Sequence, residues 1–357
     1  MNESLTLEDG YFSAAIFAHS SISSLGLIVI ILNGLFLVVL YQTKVTDFAV
    51  RILLAQISVA LFIEIFHVSV HHLHLLLIHL QKRWDSTIPA SFCKIMELVL
   101  FLYPQHVVIS SYCAVSFERL LVSKTIPTNY IKGPVLYLLF ASTHFPLLFL
   151  VSELAEEQPG EEFSSCYYYL LVENNYHQFI IVIFILVELS SLTMMLLANR
   201  FTRQKLKQYA ATKRSFTLQN RVAINRCLED TQSLTPTLVA HFLLHCFAMS
   251  HTIFIAKRFT VSPHTSVSDL YAGPWVQYML IIVAGAAHPV LCLLRSDKLK
   301  FKFLAIFSRN HLNQVNSEIS SISHTNETVL HFQHLTSSWD RALEKDKFRN
   351  YKKKSMS

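Results

Sequence analysis

The chain has 357 residues, of which 52% are hydrophobic and only 15% charged. An ordinary soluble domain carries roughly a quarter charged residues, so a water-soluble globular fold is excluded. With only 7 glycines and no regular polar–apolar alternation a lipid-facing β-barrel is excluded as well, and the formal charge of +6 does not point to nucleic acid, because the basic residues gather in particular loops.

A run of about 20 apolar residues crosses the ~30 Å hydrocarbon core as a helix. In lipid, each backbone N–H and C=O must be satisfied within its own segment, which selects the helix. Seven such runs are predicted, at about 17–41, 52–80, 95–117, 134–152, 178–199, 233–256 and 273–294. The expectation is an all-α membrane protein, a seven-transmembrane helix bundle over 17–305. A segment 1–16 precedes it and a tail 306–357 follows.

The first span carries no charge and lacks a basic leading region, so it reads as a span rather than a cleaved leader. The second span contains Glu64, and the helix period places His67, His71 and His74 on its stripe. An ionisable group within the bilayer is costly and faces the bundle interior. Three readings compete for this stripe: the polar lining of a ligand pocket, a hydrogen-bonded network between helices, or a metal site. His67 and His71 have the i,i+4 spacing that suits a divalent ion. The pocket lining is the reading carried forward, with no metal or cofactor expected.

In the third span Cys93 stands at one end, with Glu97 a turn further in, where it pairs with Lys94 or looks into the pocket. At the other end stand Glu118 and Arg119. Arg119 reads as an activation switch, paired with Glu118 in one state and facing a partner helix in another; the alternative is an arginine that snorkels to the interface. The 154–177 loop has no Lys or Arg but holds Glu156, Glu157, Glu161, Glu162, Glu173 and Cys166.

Glu188 in span five and His245 in span six lie at similar depth, ~15–17 Å at ~1.5 Å per residue. They either pair with each other or find partners elsewhere. His241 is one turn from His245. Pro104, Pro146, Pro236 and Pro289 mark bends, and Pro289 beside His288 is the strongest hinge candidate. After span seven, Ser296 or Asp297 caps a short basic and apolar helix suited to a lipid surface. The tail is polar and rich in serine, which fits a phosphorylated or a disordered segment.

Charge fixes the expected orientation. One set of loops holds Lys82, Arg83, Lys94, Lys257 and Arg258; the other 25 of the 30 basic residues fall in the opposite loops and the tail. Basic loops stay cytoplasmic, so the N terminus is expected outside and the C terminus inside. Under that topology Cys93 and Cys166 are the two extracellular cysteines, and an oxidising compartment favours their pairing over two free thiols.

Together these features resemble a G-protein-coupled receptor. A Cys at the top of span three and a Cys in the second outer loop match that superfamily's linking pair. Glu118-Arg119-Leu120 resembles its acidic–Arg–aromatic motif, with Leu in the third place. His288-Pro289 stands where many receptors have Asn-Pro, and span six lacks their Cys-Trp-x-Pro. A narrower likeness is to the nematode serpentine chemoreceptors of the class A, AB and E grouping. It rests on Glu118-Arg119-Leu120-Leu121-Val122-Ser123 followed by Tyr130, and on Leu218, Arg221, Leu234 and Pro236 before and at the start of span six. The resemblance implies a multi-pass plasma-membrane receptor, in a sensory-neuron cilium, that binds a small extracellular molecule and signals through a heterotrimeric G protein.

A transporter or channel is the alternative, but the internal repeats and paired broken helices of transporters are not found. No P-loop, zinc-hydrolase motif or serine–histidine–acid signature is present, so no enzyme is expected.

Overall fold

A computed structural model describes residues 2–43, 48–81, 88–124, 134–144, 162–163, 174–211, 218–261 and 267–307. Two compact units are distinguished, Met1–Phe303 and Leu304–Ser357. Among the described residues the chain is almost entirely helical, and six helices are long and apolar enough to cross a membrane. Their qualifying stretches are Phe12–Gln42, Phe48–Leu80, Ser91–Lys124, Val182–Gln208, Ile224–His251 and Trp275–Arg295. Of the expected span at 134–152, the helix Pro134–Ser142 and the turn to His144 are described. The rest of that span, residues 145–152, together with Tyr130, Cys166 and the tail after Phe307, lies outside the described residues.

The helices are α1 (Asn2–Gln42), α2 (Phe48–Leu80), α3 (Ala90–Ile95), α4 (Tyr103–Lys124), α5 (Pro134–Ser142), α6 (Asn174–Ala211), α7 (Leu218–Val261), α8 (Val267–Arg295) and α9 (Asp297–Phe307). α1 begins well before the apolar run that sequence placed at Phe17. A π-helical turn, Met96–Leu102, joins α3 to α4. Pro104 stands two residues after that turn; it lacks an N–H, and its ring crowds the carbonyl four residues back, which is Leu100 within the turn. Loosening the winding there relieves the clash without breaking the helix.

α1 packs on α2, α2 on α4, α4 on α6, α6 on α7, α7 on α8 and α8 back on α1, which closes a ring. α5 lies against α4. Burial is inverted relative to a soluble protein. Exposed positions carry Phe17, Ile28, Ile31, Leu186, Leu243 and Phe247, while the interior of the described residues holds Asn33, Glu64, Glu188, Arg119 and eight histidines, among them His71, His241 and His288. Water would reward the opposite arrangement; a helical protein embedded in a membrane accounts for this one.

Small residues and short hydrogen bonds hold the ring together, as lipid-embedded helices require. A Cβ at Gly26 would sit 2.0 Å from Ser69 Oγ, so α1 and α2 meet there at close range. Beside it Ser23 donates to the Ser69 carbonyl at 3.2 Å. A Cβ at Gly285 would sit 2.2 Å from Ile65 Cδ1, fixing α8 against α2. Asn33 Nδ2 donates to the Gly285 carbonyl at 3.1 Å and ties α1 to α8.

At the Cys93 end, a two-residue antiparallel bridge pairs β1 (Ile88–Pro89) with β2 (Glu162–Phe163). At the other end of the bundle, Ser296 caps α9: its hydroxyl accepts from Leu299 N–H at 3.4 Å, while its carbonyl accepts from Lys300 N–H.

Candidate functional site

α2, α4, α7 and α8 enclose a cavity in the middle of the ring. Glu64, Gln105, His241 and His245 supply its polar lining, and Leu61, Val108, Leu244, Ala248, Leu280, Ile281 and Ala284 the apolar remainder. The non-atom space is about 350 Å3, open solvent included. A mostly apolar cleft with a few convergent polar groups is the usual form of a small-molecule site.

The polar groups reach this layer by helix period. His241 and His245 are one turn apart on α7, so both rings leave the same face. Across from them α6 presents Glu188, which is buried. Its carboxylate accepts from both: His241 Nδ1 lies 2.9 Å from Oε1 and His245 Nδ1 2.6 Å from Oε2. A carboxylate only accepts, so each Nδ1 carries the proton. The pair that sequence placed at equal depth is thus in contact, and His241 completes it as a triad.

A second buried link runs to the proline in α8. Tyr112 on α4 stands 2.8 Å from His288 Nδ1 and packs against His241 at 4.8 Å between ring centroids. Phe36 of α1 meets the His288 ring edge-on at 5.5 Å. His288, next to Pro289, is therefore joined through Tyr112 to the ring of His241.

The α2 stripe divides. Glu64 faces the cavity. His67 and His71 are buried nearer the Cys93 end, with His67 Nε2 3.8 Å from Glu97 Oε1. Glu97 is fully buried on the π turn, and neither of its oxygens accepts a hydrogen bond among the described residues. His74 is exposed; ten residues on at about 100° each, it lies about 80° round from Glu64. His72, beside His71 on the same helix, is buried, with its Nδ1 2.8 Å from His19 Nδ1 on α1 and its ring against Tyr278 on α8. Among the described residues no three His, Cys, Asp or Glu side chains converge in a metal-holding group.

At the opposite end of α4, Arg119 is completely buried. Its guanidinium forks onto Glu118, with Nε 2.5 Å from Oε2 and Nη2 2.7 Å from Oε1. Its Nη1 also reaches Asp230 of α7 at 3.3 Å. Sequence reasoning found the neighbour and missed Asp230. The available sign was an acidic pair, Glu229-Asp230, at the head of span six in an otherwise basic stretch.

Pro236 lies about 1.7 turns beyond Asp230 inside α7. Around it Thr231 donates to the Cys227 carbonyl, Ser233 to that of Asp230 and Thr235 to that of Thr231. Such back-bonds bend helices, as does the missing proline N–H.

The free cysteines among the described residues are Cys113, Cys227, Cys246 and Cys292. Cys93 is buried and is not one of them; its expected partner Cys166 lies outside the described residues. Compared with protein-family models and with curated proteins, the chain matches none, so the meaning of its buried layer and of the Arg119 fork is drawn from their chemistry.

Proposed function

We propose that this chain is a seven-helix receptor, N terminus outside and C terminus inside, that takes a small extracellular molecule into the central cavity and signals through a heterotrimeric G protein. On this reading its setting is the plasma membrane, and its likeness to nematode serpentine chemoreceptors makes chemosensation its task. The observation that carries the reading is Arg119. A buried guanidinium that holds α4 to α7 through Asp230 is a contact whose loss lets the two helices part. A residue serves as a switch only if its contacts differ between two states. Pro236 stands six residues beyond Asp230 inside α7, and the cavity-lining histidines lie further along the same helix. Movement at the cavity therefore has a direct mechanical route to Arg119.

A second support comes from the β1–β2 bridge. It brings the acidic loop to the head of α3, a few residues from both Cys93 and Cys166, and so favours a disulfide between them.

The test is a G-protein dissociation assay across a panel of Gα subunits in cells expressing the chain. Glu118→Gln and Asp230→Asn are each expected to raise ligand-free coupling, and Arg119→Ala to remove it while surface staining persists. Normal coupling by surface-expressed Arg119→Ala would overturn the receptor reading.

A further inference from the structure

We propose that the central cavity takes a small organic cation, a primary ammonium on a short alkyl body, and that Glu64 is its counter-ion. The proposal rests on the cavity being the ligand site and names the ligand class.

Glu64 is 3% exposed, lines the cavity, and has no hydrogen bond or ion pair to any described residue. The other buried acids differ. Glu188 is held by two imidazoles and Glu118 by the Arg119 fork. Glu97 has an imidazole 3.8 Å away. Glu64 instead faces space. An unpaired carboxylate in an apolar setting bears a large desolvation cost, which a cation in contact with it removes.

The opposite wall asks for the same partner. His245 gives its Nδ1 proton to Glu188, and its Nε2 is buried without a hydrogen bond. In the neutral ring that nitrogen is a lone-pair acceptor. The cavity thus presents a carboxylate and an imidazole nitrogen, both acceptors, beside the Gln105 amide, which donates as well as accepts, and no Lys or Arg lines it. An ammonium group offers three donors and no acceptor. Leu61, Val108 and Ile281 then surround its methylenes. An anionic or acceptor-only ligand would meet two groups that repel it.

The test uses the full chain in lipid nanodiscs, without G protein, and follows thermal unfolding as ligand is titrated. The probes are the straight-chain primary amines from ethylamine to hexylamine, each against the alcohol of the same length. At least one amine is expected to bind tenfold or more tightly than its alcohol. Glu64→Gln is expected to remove that preference. The proposal is overturned if no amine exceeds its alcohol, a comparison that needs only the unaltered chain, or if Glu64→Gln keeps the preference. Because no G protein is present, failure of coupling in the cellular assay leaves this result readable. Failure here, with the Arg119 and Asp230 variants behaving as expected, removes the ligand class and not the receptor.

Discussion

Glu188 makes two short contacts to imidazoles in the interior of the bundle, where water cannot replace them. Interhelical hydrogen bonds between helices in lipid average only about 0.6 kcal/mol, but taking one partner from a buried charged group leaves the others uncompensated and costs more. Glu188→Gln is therefore expected to lower the unfolding temperature in nanodiscs, at about 1–3 kcal/mol. His245→Ala combined with Glu188→Gln should cost less than the two singly, because they share one contact; strict additivity would show that the pair does not act as a unit. Sequence disclosed this pair through depth alone, since equal distance from a helix end sets height in the bundle. It does not set the direction of a side chain, which depends on helix rotation. The same limit explains His74: counting by threes and sevens put it with Glu64, and the accumulated rotation turned it to the exposed side. Asp230 was hidden for another reason. It is 111 residues from Arg119, and no local pattern records a contact of that range.

At the scale of elements, α1 and α8 each come close to α2 at a glycine. A Cβ added at Gly26 collides with the Ser69 hydroxyl, which itself donates to the Ile65 carbonyl at 2.7 Å. Gly26→Ala is expected to destabilise by about 1–3 kcal/mol through overpacking. Ser69→Ala removes the colliding oxygen, and the next atom is then at 3.2 Å. The double variant should recover much of the loss in a thermal unfolding assay; no recovery would mean that the helices are not packed as described. The existence of the long apolar helices was legible because twenty apolar residues leave lipid few other options. Their neighbours were not legible, since hydrophobicity in a membrane marks the outside as readily as the interface. The small residues that do mark interfaces, Gly26 and Gly285, have no distinctive spacing in this chain. The ring order came only with the structure.

For the whole molecule, the split of basic residues argues for one orientation. Epitope tags inserted at residue 5 and at residue 350 test it on unpermeabilised cells: staining at the first and none at the second is expected, and staining at residue 350 would reverse the topology. Peptide mapping of surface protein without reductant is expected to recover Cys93 joined to Cys166; both recovered as free thiols would reject that link. The interior as a whole is a column of titratable groups wrapped in hydrocarbon, from His72 at one end to Arg119 at the other. Its composition was plain in the sequence, which has 18 histidines and few charges. Its division into a cavity, a triad and a fork was not, because each depends on which of several equivalent histidines faces which helix.

The π turn at Met96–Leu102 also acts as a phase shifter. One surplus residue is spread over a turn, so everything on the Cys93 side is rotated by about 100° relative to a uniform helix drawn up from Arg119. That rotation faces Glu97 toward His67. Deleting Val99 would let the segment rewind as ordinary helix at little cost to its backbone bonds, so the protein should still reach the membrane. The two halves of the helix would then be out of step: Cys93 would swing away from its proposed partner Cys166, and peptide mapping should find the thiol unpaired.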